Sequence, residues 1–134
     1  MTVSPDHDAA ALMREAIDVV EESYEFMLAY AAQGRKREPE DESVSRIRHY
    51  LTRFAGALDQ MQETLPAILS SDTGQPFRDR FQGDIAVARS VLLLLLEQSS
   101  ITSDMIDNTN GLIAIRAFMT DLFFVDQAIL PARS

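Results

Sequence analysis

The strongest constraint in this sequence is a run of apolar residues spaced alternately three and four positions apart. The run lies within residues 42–69, and its members are Val44, Ile47, Leu51, Phe54, Leu58, Met61, Leu65 and Ile68. This spacing places one apolar stripe along a helix, as in a coiled coil or a four-helix bundle. It predicts a long helix, segment B, that buries one face. Pro66 lies inside the pattern and is expected to kink the helix or end it near Thr64 to Leu65.

Three further helices are predicted on either side of segment B. Apolar periodicity places segment A at about residues 5–33, segment C at about 76–98 and segment D at about 103–130. The stripe of segment A consists of Ala9, Met13, Ala16, Val20, Tyr24, Met27 and Ala31. Short turns between long helices favour antiparallel neighbours. We therefore expect an all-α fold, an up-down-up-down four-helix bundle that forms a single domain over residues 1–134.

Residues suited to helix ends support these boundaries. Ser4 and Pro5 suit the N-cap and first position of segment A, and Pro76 suits the first turn of segment C. Ser103 can cap segment D. Gly34 suits the position just after a helix, where the backbone turns left-handed.

The amino-acid inventory excludes several kinds of site and partner. The absence of cysteine excludes disulfides, iron–sulfur clusters and thiol catalysis, and two histidines are too few for a multi-histidine metal site. A net charge of −9 makes nucleic acids and anionic membranes unfavourable partners. The first residues resemble no signal peptide, and no apolar run approaches the roughly 20 residues of a membrane span. A cytoplasmic protein is the simplest expectation.

Segments C and D carry more apolar surface than one bundle core can bury. Residues 91–96 are apolar at every position. Segment D has one stripe of Phe118, Leu122, Val125 and Ile129 and a second of Leu112, Ile113, Met119, Phe123 and Phe124. The surplus predicts a homodimer through segments C and D, with the first stripe as its interface. The alternative is a monomer in which segment D is the central helix.

Segment A carries a concentrated acidic face formed by Asp18, Glu21, Glu22 and Glu25. With Val20 at the centre of the buried stripe, a turn of about 100° per residue places these four at about 160°, 100°, 200° and 140°, away from the core. Like charges four residues apart are mildly unfavourable unless a cation compensates them. A solvated face and a cation-binding face are both consistent with this pattern. We expect a non-enzymatic interaction protein, of adaptor, chaperone or inhibitor type, whose acidic face binds a basic protein.

The same residues support one alternative. The string Glu21-Glu22-Ser23-Tyr24-Glu25 resembles the first magnesium-binding motif, E-E-x-x-E, of the all-α nucleoside triphosphate pyrophosphohydrolases. The resemblance implies that Glu21, Glu22 and Glu25 hold Mg²⁺, which carries the pyrophosphate of the substrate. The E-x-x-D motif of the second helix in that family has its letters here in residues 38–41, in a charged turn.

Four basic or titratable side chains are weaker candidates for an anion or ligand site. Arg46, His49 and Arg53 share one face of segment B, where Arg46 has the alternative of pairing with Glu42 four residues earlier. Arg116 lies among apolar residues of segment D. It either lines a small-ligand cavity or extends its charge to solvent along an apolar stem.

Overall fold

The computed structural model describes residues 5–40 and 45–132, with side chains from residue 8 onward. Within these ranges every regular element is helical and none is a strand, which confirms the all-α class there. The helices are α1 (Pro5–Ala31), α2 (Arg46–Ile68), α3 (Gln75–Leu96), α4 (Ser103–Gly111) and α5 (Ile113–Phe124), followed by a π-helix (Val125–Ile129). The predicted Ser4 cap and the first residues of segment B, including Glu42 and Val44, lie outside the described residues.

The helix α2 has the buried stripe that its spacing predicts. From Ile47 to Leu65, the stripe residues are almost completely buried, and Ile68 is half-buried. Of the two outcomes expected at Pro66, a kink or an end near Thr64 to Leu65, the end is wrong, because the helix continues through Pro66 to Ile68. Pro66 comes two residues before the end of the helix and its side chain is exposed. A proline there removes one backbone donor from the last turn, which is a small loss.

The end of α1 is tied to the beginning of α4 by buried hydrogen bonds. The Tyr30 hydroxyl donates to the carbonyl of Ile101 over 2.6 Å, and Ser103 Oγ donates to the carbonyl of Tyr30 over 2.7 Å. Ser103 is therefore not the helix cap that the sequence suggests; Thr102 is, because its Oγ1 accepts from the Met105 amide. Gly34 has φ 63°, which confirms the left-handed position expected after α1.

Segment D is not one helix but two, separated at Leu112. Its ψ of 136° is extended, which interrupts the helical hydrogen-bond ladder. The four residues before the break, Asn108 to Gly111, are weak helix formers, which gives a local reason for it. The consequence is a change of neighbour: α4 packs on α1, whereas α5 packs on α3.

The stripe predicted to form the dimer interface lies in the core of the single chain, so that assignment is wrong. Phe118, Leu122 and Val125 are 0% exposed, and Ile129 is half-buried against the same core. The Phe118 ring lies 6.1 Å from Phe54 of α2 and 6.0 Å from Phe81 of α3, centroid to centroid. Because α5 packs on α3, this stripe faces the other helices.

Part of the remaining apolar surface of these two helices is exposed. Ile113 is 85% exposed, and Phe123 and Phe124 are each about half exposed, although Met119 is buried. On α3, Leu94 is 55% exposed, so residues 91–96 are not buried on every side within the single chain. Among the described helices, none combines the length and the hydropathy needed to cross a membrane.

Candidate functional site

The acidic face of α1 points away from the core, as the helical rotation predicts. Asp18, Glu21, Glu22 and Glu25 are all exposed, while Met13 and Val20 on the core-facing side are completely buried. The same rotation that buries the apolar stripe therefore brings four carboxylates together at the surface within two turns of one helix.

These carboxylates line an open groove between α1 and α5. The groove has a volume of about 560 Å³. Tyr24 of α1 and Met119 and Phe123 of α5 complete its lining. An acidic wall thus lies beside an aromatic and thioether surface, a combination that the sequence analysis did not predict. We call this feature the α1–α5 groove.

The groove exists because the chain changes neighbour at Leu112. α4 lies against α1, but α5 lies against α3, so the α1–α5 side of the molecule is less closely packed. One ion pair connects the two sides near the start of α1, where Arg14 Nη1 lies 3.8 Å from Asp126 Oδ1 of the π-helix.

Glu22 of this acidic face has a cationic partner on α2. Glu22 Oε1 lies 3.1 Å from Arg53 Nη1 of α2, and the Arg53 guanidinium also lies 5.9 Å from the centre of the Tyr50 ring. The repulsion expected between Asp18 and Glu22 is thus partly compensated internally. Because Glu22 is 52% exposed, solvent screens this pair and its net contribution to stability is small.

The residues quoted for the magnesium motif do not form a metal site. Across residues 8–40 and 45–132, no group of three carboxylate or histidine side chains is arranged to hold a metal ion, which includes Glu21, Glu22 and Glu25. In the proposed second motif, Glu38 is engaged with Arg48, and Asp41 lies outside the described residues. The expectation of a bound Mg²⁺ on these glutamates therefore has no support in the described geometry.

The basic candidates do not converge on a common site. The Arg46 guanidinium lies 5.1 Å from the centre of the Phe26 ring, His49 is exposed with its ring edge on Tyr50, and Arg53 pairs with Glu22. The partner that the sequence suggests for Arg46, Glu42, lies outside the described residues. Arg116 is exposed on α5, so it is neither a buried charge nor the wall of an enclosed cavity.

Sequence reasoning missed an ion pair that joins three parts of the chain. Arg48 of α2 donates to both carboxylate oxygens of Glu38, with Nη2 2.6 Å from Oε1 and Nε 2.9 Å from Oε2. Arg48 also donates to the carbonyls of Leu96 and Gln98, and Glu38 Oε1 accepts from the Ile101 amide. Burial acts to raise the pKa of Glu38, but these hydrogen bonds outweigh it and hold the pKa below its usual value. The pair fixes the turn after α1 to the turn between α3 and α4.

A second missed feature is a contact between two carboxyl groups, Asp84 of α3 and Asp121 of α5. Asp84 accepts from Arg80 Nε at 3.0 Å, and Asp121 Oδ2 is buried without a donor. Burial, together with the hydrogen bond and the charge of Asp84, raises the pKa of Asp121 to about 7. The sequence places Asp121 only between two apolar stripes. Its partner depends on the register of α3 against α5.

Comparison with known proteins does not assign this chain to a family. No protein-family model matches the chain, and neither the curated proteins nor the solved structures contain a significant match.

Proposed function

We propose that this chain is a non-enzymatic interaction protein of the cytoplasm, an adaptor, chaperone or inhibitor that binds a basic protein partner through the α1–α5 groove. The bundle that presents the groove uses α4 and α5 together in place of a single fourth helix. The observation that carries the proposal is the grouping of Asp18, Glu21, Glu22 and Glu25, all exposed, along one open groove beside the half-exposed Phe123.

The charge distribution favours a basic partner. The first 33 residues carry seven acidic side chains and one arginine, so this part of the chain contributes most of the net charge of −9. Clustered charge of one sign attracts an oppositely charged surface and accelerates association, and salt weakens the attraction. Because the groove is open, ion pairs formed there keep part of their hydration and carry less of the desolvation cost of a buried pair.

Charge reversal tests the proposal. Changing Glu21, Glu22 and Glu25 together to Lys is expected to abolish capture of the partner in pull-down experiments. The circular dichroism of the variant should stay unchanged, because all three side chains are exposed and the screened ion pair of Glu22 with Arg53 contributes little to stability.

A control variant separates the position of the charge from its amount. Reversal of Glu63, Asp79 and Asp107 changes the net charge equally at exposed sites of α2, α3 and α4. Capture should survive in this control. Recovery of the same partner by the α1 variant would show that the acidic face is irrelevant.

We also propose that the chain is a homodimer, through a different surface from the one that the sequence suggests. Besides Phe123 of the groove, the large exposed apolar side chains on the neighbouring helices α3 and α5 are Val87, Leu94, Ile113 and Phe124. Where such side chains on packed neighbouring helices form a contiguous apolar patch, the patch marks an interaction surface. Met119 and Phe123 of the groove lie on a different face of α5 from Ile113 and Phe124, so the proposed dimer is compatible with an open groove.

A further inference from the structure

On the basis of the function proposed above, we propose that the occupant of the α1–α5 groove is a short amphipathic helix of the partner, with Lys or Arg along one edge and apolar side chains beside it. The basic edge lies against the acidic face of α1. The apolar edge packs on the half-exposed Phe123 and the partly exposed Tyr24, with the buried Met119 beneath them. The occupant thus completes the less closely packed side of the molecule.

The aromatic surface of the groove is the reason to expect apolar contacts as well as charge. Phe123 is 49% exposed, and its ring contacts no other ring among the described residues. Its neighbour Phe124 is equally exposed but packs edge-on against Phe77, with ring centroids 5.2 Å apart. Covering Phe123 would remove apolar area from water, which favours binding in proportion to the area buried.

The shape of the groove favours a helix over an extended segment. Its acidic wall extends from Asp18 to Glu25, which at 1.5 Å per residue is about 10 Å, or two helical turns. The walls are themselves two helices, α1 and α5, that lack a close neighbour between them. A helix laid in such a groove uses anchors three or four residues apart, which matches the spacing of Glu21 and Glu25.

Charge decides against a second copy of this chain in the same groove. A second α1 would bring its own acidic face against Asp18, Glu21 and Glu25, and the whole chain carries −9. Like charges placed together across an interface are strongly unfavourable. A helix with a basic edge has the same helical shape as a second α1 but carries charge of the opposite sign to the acidic face.

The test uses two labelled peptides of about 14 residues with identical Leu, Lys and Ala content. In the first, Leu and Lys occupy adjacent stripes of one helix; in the second, the order is scrambled so that no stripe forms. Fluorescence anisotropy with the full chain should give an affinity for the first peptide about tenfold higher than for the scrambled one.

Two aromatic variants provide the matched comparison. Phe123→Ala should weaken binding of the first peptide about fivefold or more. Phe124→Ala, a change of the same size at an equally exposed neighbour, should leave it unchanged. Equal effects of the two variants, or no effect of Phe123→Ala, would overturn the inference.

The outcomes separate this inference from the function on which it depends. Equal binding of both peptides, lost in the Glu21, Glu22 and Glu25 reversal, would overturn the helical occupant and leave a basic partner in place. Equally effective competition by spermine would also overturn it, since a flexible polycation has no apolar edge. Absence of binding by either peptide, with partner capture unaffected by the reversal, would overturn both.

Discussion

At the scale of single residues, the contact between Asp84 and Asp121 makes the stability of the fold depend on pH. Both side chains come from apolar-faced helices that pack together, so one carboxyl loses water and meets a second negative group. Arg80 neutralises Asp84 at 3.0 Å, but Asp121 has no donor for its buried oxygen. Protonation of Asp121 removes the repulsion between the two carboxylates, because the protonated carboxyl is neutral and can donate a hydrogen bond to Asp84.

The stability of the folded chain is therefore expected to fall as the pH rises from the unfolded-state pKa of Asp121 to its folded-state pKa. Burial and Asp84 raise the folded-state pKa of Asp121 to about 7 from 3.8, so the folded chain holds a proton that the unfolded chain releases. The free energy of unfolding should decrease between about pH 4 and pH 7 and then level off. Asp121→Asn should remove this decrease and stabilise the chain at pH 8 by on the order of 1 kcal/mol, after allowance for solvent screening.

Urea unfolding at pH 5 and pH 8 measures the effect. The control is Asp79→Asn, an exposed change on α3, which should preserve the pH dependence of the parent chain. If the free energy of unfolding of Asp121→Asn changes between pH 5 and pH 8 by as much as that of the parent chain, the carboxyl pair is not the source of the pH dependence.

Single-residue features were predictable from the sequence when they depend on one helix alone. The outward direction of Glu21 and Glu25 follows from the rotation per residue, and the conformation of Gly34 follows from its place after a helix. The partners of Glu22, Arg48 and Asp121 were not predictable. Each lies on another element, and its position depends on how two helices or a turn pack together.

At the scale of elements, two glycines lie at helix ends in opposite backbone states. Gly34 has φ 63°, a conformation that costs a residue with a side chain about 1 kcal/mol, whereas Gly111 ends α4 without a positive φ. Neither has an atom within 4 Å of where a Cβ would lie. Backbone conformation alone therefore distinguishes them.

Alanine at these two positions should have opposite effects on stability. Gly34→Ala should destabilise the chain by about 1 kcal/mol, and Gly111→Ala should stabilise it by about 0.5 kcal/mol because it restricts the unfolded chain. Thermal or urea unfolding of the two variants gives both values. A shift of the same sign in both variants would contradict the described backbone.

The predicted elements fail where propensity and periodicity disagree. Apolar periodicity continues through residues 103–130 and favours one helix, but Asn108 to Gly111 are weak helix formers and the chain breaks at Leu112. The break changes which helix α5 packs on. For that reason the stripe through Phe118 faces the core, and the α1–α5 groove could not be predicted from the sequence.

At the scale of the whole molecule, two exposed surfaces serve the two proposed interactions. The α1–α5 groove is acidic and partly aromatic, whereas the α3–α5 surface carries Leu94 and Ile113. Dimer formation should therefore be sensitive to changes on the second surface and insensitive to changes on the first.

Analytical ultracentrifugation tests the dimer. Leu94→Asp together with Ile113→Asp should give a folded monomer, because an interface cannot bury two unpaired charges. Leu28→Asp, at a similarly exposed position of α1, should remain a dimer. Phe118→Asp should unfold the chain, because Phe118 is 0% exposed. If the parent chain sediments as a monomer, the dimer proposal is wrong.

The most direct test of the central proposal is to map a basic amphipathic peptide onto the isotopically labelled chain by nuclear magnetic resonance. If the peptide binds in the α1–α5 groove, amide signals should shift in two stretches, residues 18–25 of α1 and residues 119–123 of α5. Signals of α3 should stay in place, and the shifts should weaken at about 0.5 M salt. Shifts confined to the α3–α5 surface, or no shift in either stretch of the groove, would contradict the account.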